Sequence, residues 1–359
     1  MRDLTDPGQG AHAIQSLVDA ATRRLREGWS CNVVVARGSP LVAVEDNYDR
    51  LHYAADGVAR DARYTRYVTD QQLLRTQTSA VVPSVLRTLA GARIDDVLLV
   101  CPGIVYRRDS IDRLHTGEPH QVDLWRLRSG PLEVADLEQM IAHVVHACVP
   151  DAEAWRTTPA AHPYTKAGRQ IDVRLGNAWI EIGECGLAAP GVLEESGLPP
   201  VVRGLAMGLG LDRLLMLRKG VPDIRLLRSD DPRVAAQMLD LSPYRPVSRQ
   251  PAIRRDLSIS VPRETIVEDL GDQVRALLGP EQSCIEAVTI LSETHYGALP
   301  PSAVERMGMP AGHKNLLVRV VMRDLHRALT SAEANRLRDR IYDHLHRGTR
   351  RERSVDPTR

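Results

Sequence analysis

The hydrophobic pattern of residues 95–127 constrains the fold most, because it departs there from helical spacing and becomes typical of β-strands. It predicts an antiparallel meander with strands over 97–101, 104–108 and 120–127 and a turn at Pro102-Gly103. Two further apolar segments, 171–175 and 178–183, flank Gly176-Asn177, which is typical of a tight hairpin. The core is therefore expected to form on an antiparallel sheet.

Helical spacing predicts helices beside this sheet over 13–27, ending at Gly28, over 132–149, and over 204–217, a segment that begins with glycine. Strands separated by irregular stretches and flanked by helices favour the α+β class.

A second domain is predicted after a proline-containing break at 240–249. The order there is strand (256–261), helix (266–278), strand (285–291), strand (316–322) and a last helix that Thr330 and Glu333 open as a capping box. This order is typical of a ferredoxin-like module, although its final strand is not visible in the Arg-rich end. We predict domains at 1–240 and 241–359.

The composition excludes a polybasic arm or an acidic tail as the basis of function, because 47 Lys and Arg balance 46 Asp and Glu. The charge is uneven, however: residues 241–359 carry 19 basic and 15 acidic side chains, a net +4, which makes the second domain a candidate partner for a polyanion. A solvated, Arg-biased surface explains the same counts equally well. No apolar run approaches the roughly 20 residues of a membrane span, so we expect a cytoplasmic protein without a membrane partner.

The functional interpretation depends on three blocks of residues that occur in a fixed order. They are Leu-Arg-Thr-Gln-Thr-Ser at 74–79, Val-Tyr-Arg-Arg-Asp at 105–109 continuing to His-Gln-Val-Asp at 120–123, and Gly-Leu-Ala-Met-Gly-Leu-Gly-Leu-Asp-Arg at 204–213. Together they resemble phenylalanyl-tRNA synthetase, a class II aminoacyl-tRNA synthetase, and the likeness extends over nearly the whole chain. Residues from about 244 onward resemble its ferredoxin-fold anticodon-binding domain, a layout found in single-chain members of the family.

The resemblance implies that the chain activates an amino acid with ATP and Mg²⁺ and transfers it to tRNA. Activation brings a carboxylate against the α-phosphate, so a fixed cation is needed where the two anions meet. Arg107 can bridge them with its planar guanidinium group. Asp109, two residues further along the predicted strand, faces the same side and resembles an ATP-binding Glu of the family. The alternative is a plain ion pair between Arg107 and Asp109.

Three other residues resemble nucleotide-binding positions of the family. Arg213 follows Gly208-x-Gly210 at a helix start and would be the second catalytic arginine, bound to the distal phosphates or the adenine. Glu181 resembles the carboxylate that holds Mg²⁺. His115 resembles a residue of the loop near ATP, although a His in a polar loop is commonly just solvent-exposed.

Gln121 and Asp123 are two apart on a predicted strand and therefore share a face. With Ser79 they resemble the residues that hold the ammonium group of the amino acid, with Asp in place of the usual Glu, and Gln77 stands where the family has His. A solvated strand face is the alternative interpretation.

The amino-acid pocket departs from the family pattern. The Phe-Pro-Phe of the family corresponds here to Thr158-Pro159-Ala160, so both rings are missing, while Ala206 is retained. Losing the rings should open space and weaken phenylalanine binding. We therefore expect a larger or more polar substrate, contacted by His162 or Glu184.

Three functions remain open at this stage. The first is aminoacyl-tRNA ligation by a monomer or homodimer. The second is an adenylate-forming paralogue that activates an amino acid other than phenylalanine, such as a larger aromatic or non-standard one, for a biosynthetic acceptor. The third is an inactive RNA-binding relative, which the retained arginines disfavour.

Overall fold

The computed structural model describes residues 2–247 and 250–351. The chain forms two compact units, one of residues 2–107 with 118–245, the other of residues 108–117 with 246–247 and 250–351. The catalytic domain at 1–240 and the anticodon-binding-like domain at 241–359 remain predictions. Residues 248–249 and 352–359 of the second domain lie outside the described residues.

The helices and strands of the first unit are α1 (Ala13–Trp29), β1 (Asn32–Val35), β2 (Leu41–Ala43), α2 (Val44–Asn47), β3 (Arg66–Tyr67), β4 (Gln72–Leu74), α3 (Val82–Thr88), β5 (Asp96–Ile104), β6 (His120–Ser129), α4 (Val134–Cys148), β7 (Ala154–Pro159), β8 (Thr165–Leu175), β9 (Ala178–Ala188), α5 (Pro190–Glu195), β10 (Val202–Gly210), α6 (Leu211–Lys219) and α7 (Pro232–Ala235). Seven of the strands form a sheet in the order β1-β5-β6-β10-β9-β8-β7, antiparallel except for the β1–β5 pair. A small antiparallel sheet has the order β2-β4-β3.

The predicted helix over 204–217 is wrong in its first half, because β10 occupies that segment and α6 begins only at Leu211. The segment alternates small and large residues, with Gly204, Ala206, Gly208 and Gly210 on one face of β10. Leu205, Met207 and Leu209 lie on the other face and are buried. This period of two is the signal that the helical interpretation overlooked.

The predicted turn at Pro102-Gly103 is also wrong, because β5 runs straight through both residues and pairs Gly103 with Gln121. The β1 pairing ends opposite Val100, so Pro102 has no strand on that side to which an N–H group would donate. A Cβ atom at Gly103 would lie 1.8 Å from the Arg75 guanidinium group, which is buried and donates to the Ile104 carbonyl at 2.8 Å. Gly103 therefore makes room for an arginine, not for a turn.

Helix α1 passes through Gly28, its predicted end, and stops at Ser30, which adopts a left-handed φ of 53°. A Cβ atom at Gly28 would lie 2.8 Å from His143 on α4, so this glycine serves close helix packing. The hairpin at Gly176-Asn177 is confirmed, with Gly176 at a φ of 58°. The helix predicted over 132–149 is confirmed as α4.

The second unit has a three-stranded antiparallel sheet in the order β11-β13-β12 within its described residues. Its elements are β11 (Ile253–Pro262), α8 (Val267–Leu278), β12 (Ile285–His295), α9 (Pro301–Met307), β13 (His313–Met322) and α10 (Ser331–Leu345). The predicted strand-helix-strand-strand-helix order is confirmed, with the short α9 added, and Thr330 and Glu333 do cap α10. The described residues contain no further strand in this sheet.

Residues 108–117 pack into this second unit. Ile111 is buried in its core, and the Ile111 carbonyl accepts a hydrogen bond from the Val288 N–H at 2.8 Å. The Arg275 guanidinium group donates to the carbonyls of Asp109 and Ser110. The predicted strand over 104–108 is wrong beyond Ile104, where β5 ends. The Tyr106 N–H donates to the Arg75 carbonyl at 2.8 Å, and the residues that follow Arg108 bond to helix α8 and strand β12.

The molecule is thus a mixed α+β protein with a large, mainly antiparallel sheet and a smaller sheet unit that follows it. No helix within the described ranges is long and apolar enough to cross a membrane.

Candidate active site

One row of the large sheet brings several predicted site residues together. Asp123 on β6 is opposite Gly208, Gly208 is opposite Glu184, and across β8 the row ends at Thr158. Directly opposed residues of an antiparallel sheet share a face, so these side chains point to the same side. Gln121 and Ala206 lie two residues from this row, on the same face.

Asp123 is the buried anchor of this face. Its carboxylate accepts hydrogen bonds from the hydroxyl groups of Thr78 at 2.7 Å and Ser79 at 2.9 Å and from the Trp125 indole N–H at 3.1 Å. Burial raises the pKa of Asp123, and these hydrogen bonds work against that rise. The segment 74–79 therefore does place Ser79 beside Asp123.

Gln77 is held one residue before the Thr78–Val81 turn. Its amide nitrogen donates to the Asn47 carbonyl at 3.1 Å, and its amide oxygen accepts a hydrogen bond from the Tyr53 hydroxyl at 3.2 Å. Both polar atoms of the Gln77 amide group are thus hydrogen-bonded to the segment around residues 47–53.

An aromatic cluster that the sequence analysis missed lies beside Asp123. Tyr164 stacks on Trp125 with ring centroids 6.0 Å apart and packs against Tyr53 at 6.2 Å and His162 at 5.4 Å. Burial raises the pKa of Tyr164 well above its usual value, while a hydrogen bond with Ser79 opposes that rise. Rings from three distant segments of the chain thus meet beside Asp123.

Thr158 and Ala160, which align with those lost rings, stand at the end of the edge strand β7. Thr158 is exposed, and the Ala160 N–H donates to the Gly168 carbonyl at 2.9 Å. Neither side chain belongs to the aromatic cluster.

His162 and Glu184 form an ion pair with 2.7 Å between Nε2 and Oε2. The hydrogen bond to Glu184 raises the pKa of His162, and burial opposes the rise. The charge of Asp123 also contributes, which puts the pair within electrostatic range of the buried anchor.

The second group of site residues lies at the end of the same sheet. Gly103, Gln121 and Gly210 are in register on β5, β6 and β10. Arg107 follows Gly103 by four residues, and Arg213 follows Gly210 by three, so both arginines leave the sheet at the same end.

Arg107 and Arg213 are both held partly by backbone carbonyls. The Arg107 Nε–H group donates to the Thr76 carbonyl at 2.8 Å, and the Arg213 Nη1 group donates to the Glu181 carbonyl at 3.1 Å. The Glu181 carboxylate lies 3.7 Å from Arg213 Nη1 and remains 44% exposed. Within the described residues no group of three or more His, Cys, Asp or Glu side chains could hold a metal ion.

Asp109 and His115 belong to the second unit and take no part in the contacts above. Asp109 accepts a hydrogen bond from the Ser110 N–H at 2.8 Å, and His115 Nδ1 lies 2.7 Å from the Asp112 carboxylate. Their assignment to ATP stays a prediction, and strand geometry no longer supports it for Asp109.

A buried cluster next to Arg213 also escaped the sequence analysis. Asp212 is 2.9 Å from the Arg228 guanidinium group and 3.3 Å from the His120 ring. Burial disfavours the charged carboxylate, but Arg228 and His120 outweigh it and hold the pKa of Asp212 well below its usual range. The sequence signal that could have revealed this cluster is an acidic residue, Asp212, directly before Arg213.

Residues 8–238 match the family model of tRNA synthetases class II core domain (F). The chain is 26% identical over 361 residues to a "Probable phenylalanine--tRNA ligase, mitochondrial" of Drosophila melanogaster, covering 84% of this chain and 75% of that protein. It is 31% identical over 254 residues to the phenylalanine--tRNA ligase alpha subunit of Halalkalibacterium halodurans, covering 66% of this chain and 72% of that subunit.

Among solved structures, a pyrrolysyl tRNA synthetase from Desulfitobacterium hafniense aligns with a TM-score of 0.47 at 18% identity, over 60% of this chain and 73% of that one. The family match covers more than half of the chain. The chain therefore belongs to the class II tRNA synthetase core family (F), a family of aminoacyl-tRNA ligases.

Proposed function

We propose that this chain activates an amino acid with ATP and transfers it to tRNA, as a phenylalanyl-tRNA synthetase-like ligase with an altered amino-acid pocket. One observation carries the proposal. A single sheet presents a buried, hydrogen-bonded carboxylate, Asp123, on one face and two arginines, Arg107 and Arg213, at one end.

The first step joins the amino acid to the nucleotide. An oxygen of the substrate carboxylate bonds to the α-phosphorus, the bond from that phosphorus to the bridging oxygen breaks, and pyrophosphate leaves. Arg107 neutralises the two anions as they meet, and Arg213 binds the departing phosphates. In the second step a ribose hydroxyl of tRNA attacks the acyl carbon, and AMP leaves with the carboxyl oxygen.

The nucleotide end suits ATP with Mg²⁺. Glu181 would supply the protein carboxylate for the ion, because Mg²⁺ in nucleotide sites takes one or two carboxylates and fills its remaining positions with phosphates and water. Bound there, Mg²⁺ would neutralise phosphate charge. Asp109 and His115 are proposed as additional contacts to ATP.

The amino-acid end takes the ammonium group. We assign that role to Asp123, Gln121 and Ser79, with Gln77 nearby and with Thr158, Ala160, His162, Glu184 and Ala206 around the side chain. Two features support the altered pocket: Thr158 and Ala160 stand where the family has two Phe rings, and the His162–Glu184 pair lies against the ring of Tyr164.

We also propose that residues 241–359 form a ferredoxin-fold, anticodon-binding-like domain, and that the protein works as a single chain, as a monomer or homodimer. The net charge of +4 on these residues supports binding to an RNA polyanion.

ATP–pyrophosphate exchange with a panel of amino acids, followed by acylation of total tRNA, tests the proposal. We expect amino-acid-dependent exchange in the wild type and in Arg93→Ala, a matched control whose arginine is 87% exposed on the same unit. Exchange without tRNA acylation would favour the biosynthetic paralogue, and no exchange with any amino acid would refute the function.

A further inference from the structure

We propose that the site selects an aromatic amino acid whose ring carries a hydroxyl group, and that Glu184 accepts the hydrogen bond from that hydroxyl. The inference rests on the proposed function, because it places the ammonium group of the substrate at Asp123.

The surface formed by His162 and Glu184 is unusually polar for one that borders an aromatic cluster. His162 packs against Tyr164 of the aromatic cluster, yet it is paired with Glu184, and the two side chains are 20% and 36% exposed. A bound substrate would cover Glu184 and remove its carboxylate from water, which is costly unless the remaining lone pairs find donors. In the described part of the chain, Glu184 Oε2 has His162 as a partner and Oε1 has none. A donor on the substrate would satisfy Oε1.

The sheet sets the spacing between Glu184 and Asp123. Glu184 and Asp123 are separated by a single strand, so their backbones lie about 9–10 Å apart. Gly208 lies between them and carries no side chain, and a Cβ atom built there would sit 3.9 Å from the Asp123 carboxylate. An amino acid lying over Gly208 with its ammonium group at Asp123 would therefore direct its side chain toward Glu184.

The ring of Tyr53 is partly exposed, and the buried ring of Tyr164 packs against it with Trp125 stacked on Tyr164. This aromatic surrounding favours an aromatic substrate side chain. A carboxylate only accepts hydrogen bonds, so the group that meets Glu184 must donate. A phenol hydroxyl on an aromatic ring meets both requirements.

The test measures ATP–pyrophosphate exchange by the full chain with L-tyrosine, L-phenylalanine and O-methyl-L-tyrosine, which lacks the donor. A site built around a substrate hydroxyl rejects an analogue without it strongly, so we expect kcat/KM for tyrosine to exceed both others by at least about 100-fold. Glu184→Leu should reduce the tyrosine-to-phenylalanine ratio at least about tenfold. The matched control is Glu195→Leu, which breaks the His52–Glu195 pair at 3.0 Å and should leave the ratio unchanged.

Equal or better use of phenylalanine, preference for an amino acid outside the phenols, or an unchanged ratio in Glu184→Leu would overturn the inference and leave the ligase function standing. Exchange with no amino acid at all would overturn the ligase function and the inference with it. The wild-type comparison decides the question even if Glu184→Leu does not fold.

Discussion

The two ends of the site are built in opposite ways. At the proposed amino-acid end, Asp123 is 2% exposed and accepts three hydrogen bonds from the protein itself. At the proposed nucleotide end, Arg107 is exposed and fixed through Nε alone, and its two terminal nitrogens have no partner within residues 2–247 and 250–351. A pre-formed carboxylate suits a small ammonium group, whereas an arginine fork kept available suits phosphates that arrive with their own charge. The variants below test this contrast.

The largest effect is expected for Arg107→Ala. Losing a cation that stabilises developing charge should lower kcat/KM for exchange about 100- to 1000-fold. Because the side chain is exposed, the free energy of unfolding in urea should stay within about 0.5 kcal/mol of wild type. Arg93→Ala is the control for both measurements. A loss of stability matching the loss of activity would contradict the contrast.

Asp123→Ala should reduce both stability and activity. It leaves two hydroxyl groups and an indole N–H buried without their acceptor, which should cost at least about 2 kcal/mol of unfolding free energy in urea denaturation. Asp95→Ala removes a carboxylate that is 68% exposed and should change stability by no more than about 0.5 kcal/mol. An Asp123→Ala protein as stable as wild type would show that the amino-acid end is not pre-formed.

Gly103→Ala tests how the segment leading to Arg107 is held. The new methyl group would meet the Arg75 guanidinium group, and such overpacking should cost about 1–3 kcal/mol in unfolding free energy. Since the Tyr106 N–H donates to the Arg75 carbonyl at 2.8 Å, activity should fall as well. Gly297→Ala, where nothing lies within 4 Å of the added Cβ atom, is the matched control. Equal stabilities of the two variants would rule out this role for Gly103.

The smallest effect is the pH dependence of the His162–Glu184 pair. The pKa of His162 is raised on folding, so the stabilisation is fully present below the unfolded-state pKa of about 6.5 and is lost as the pH rises through the folded-state pKa. Wild type should therefore exceed His162→Gln in unfolding free energy by up to about 1 kcal/mol at pH 6, and by less at pH 9. A difference that grows with pH would contradict the pairing.

Local signals predicted much of the fold correctly. The Gly176-Asn177 hairpin, helix α4 and the element order of the second unit follow from turn chemistry, periodicity and capping residues that act over a few positions. The errors at Gly28, Gly103 and the start of β10 share a different cause. Each glycine was interpreted as a stop, a turn or a helix start, while its real reason is a partner far along the chain or a strand alternation.

Local sequence signals likewise predicted only part of the candidate site. The resemblance grouped Ser79 with Asp123 and Glu181 with Arg213, and the structure has the members of each pair side by side. The aromatic cluster could not be found in this way, because Tyr53, Trp125 and Tyr164 come from separate segments that carry no common pattern. Their proximity is a consequence of sheet register and packing.

The central claim is that two arginines leaving the same end of one sheet bind one nucleotide. A crystal structure of the chain with a non-hydrolysable ATP analogue and Mg²⁺ tests it most directly. We expect Arg107 and Arg213 both to donate hydrogen bonds to phosphates of a single bound analogue, with Glu181 beside the ion. A nucleotide bound elsewhere, or in contact with one arginine while the other points away, would contradict it.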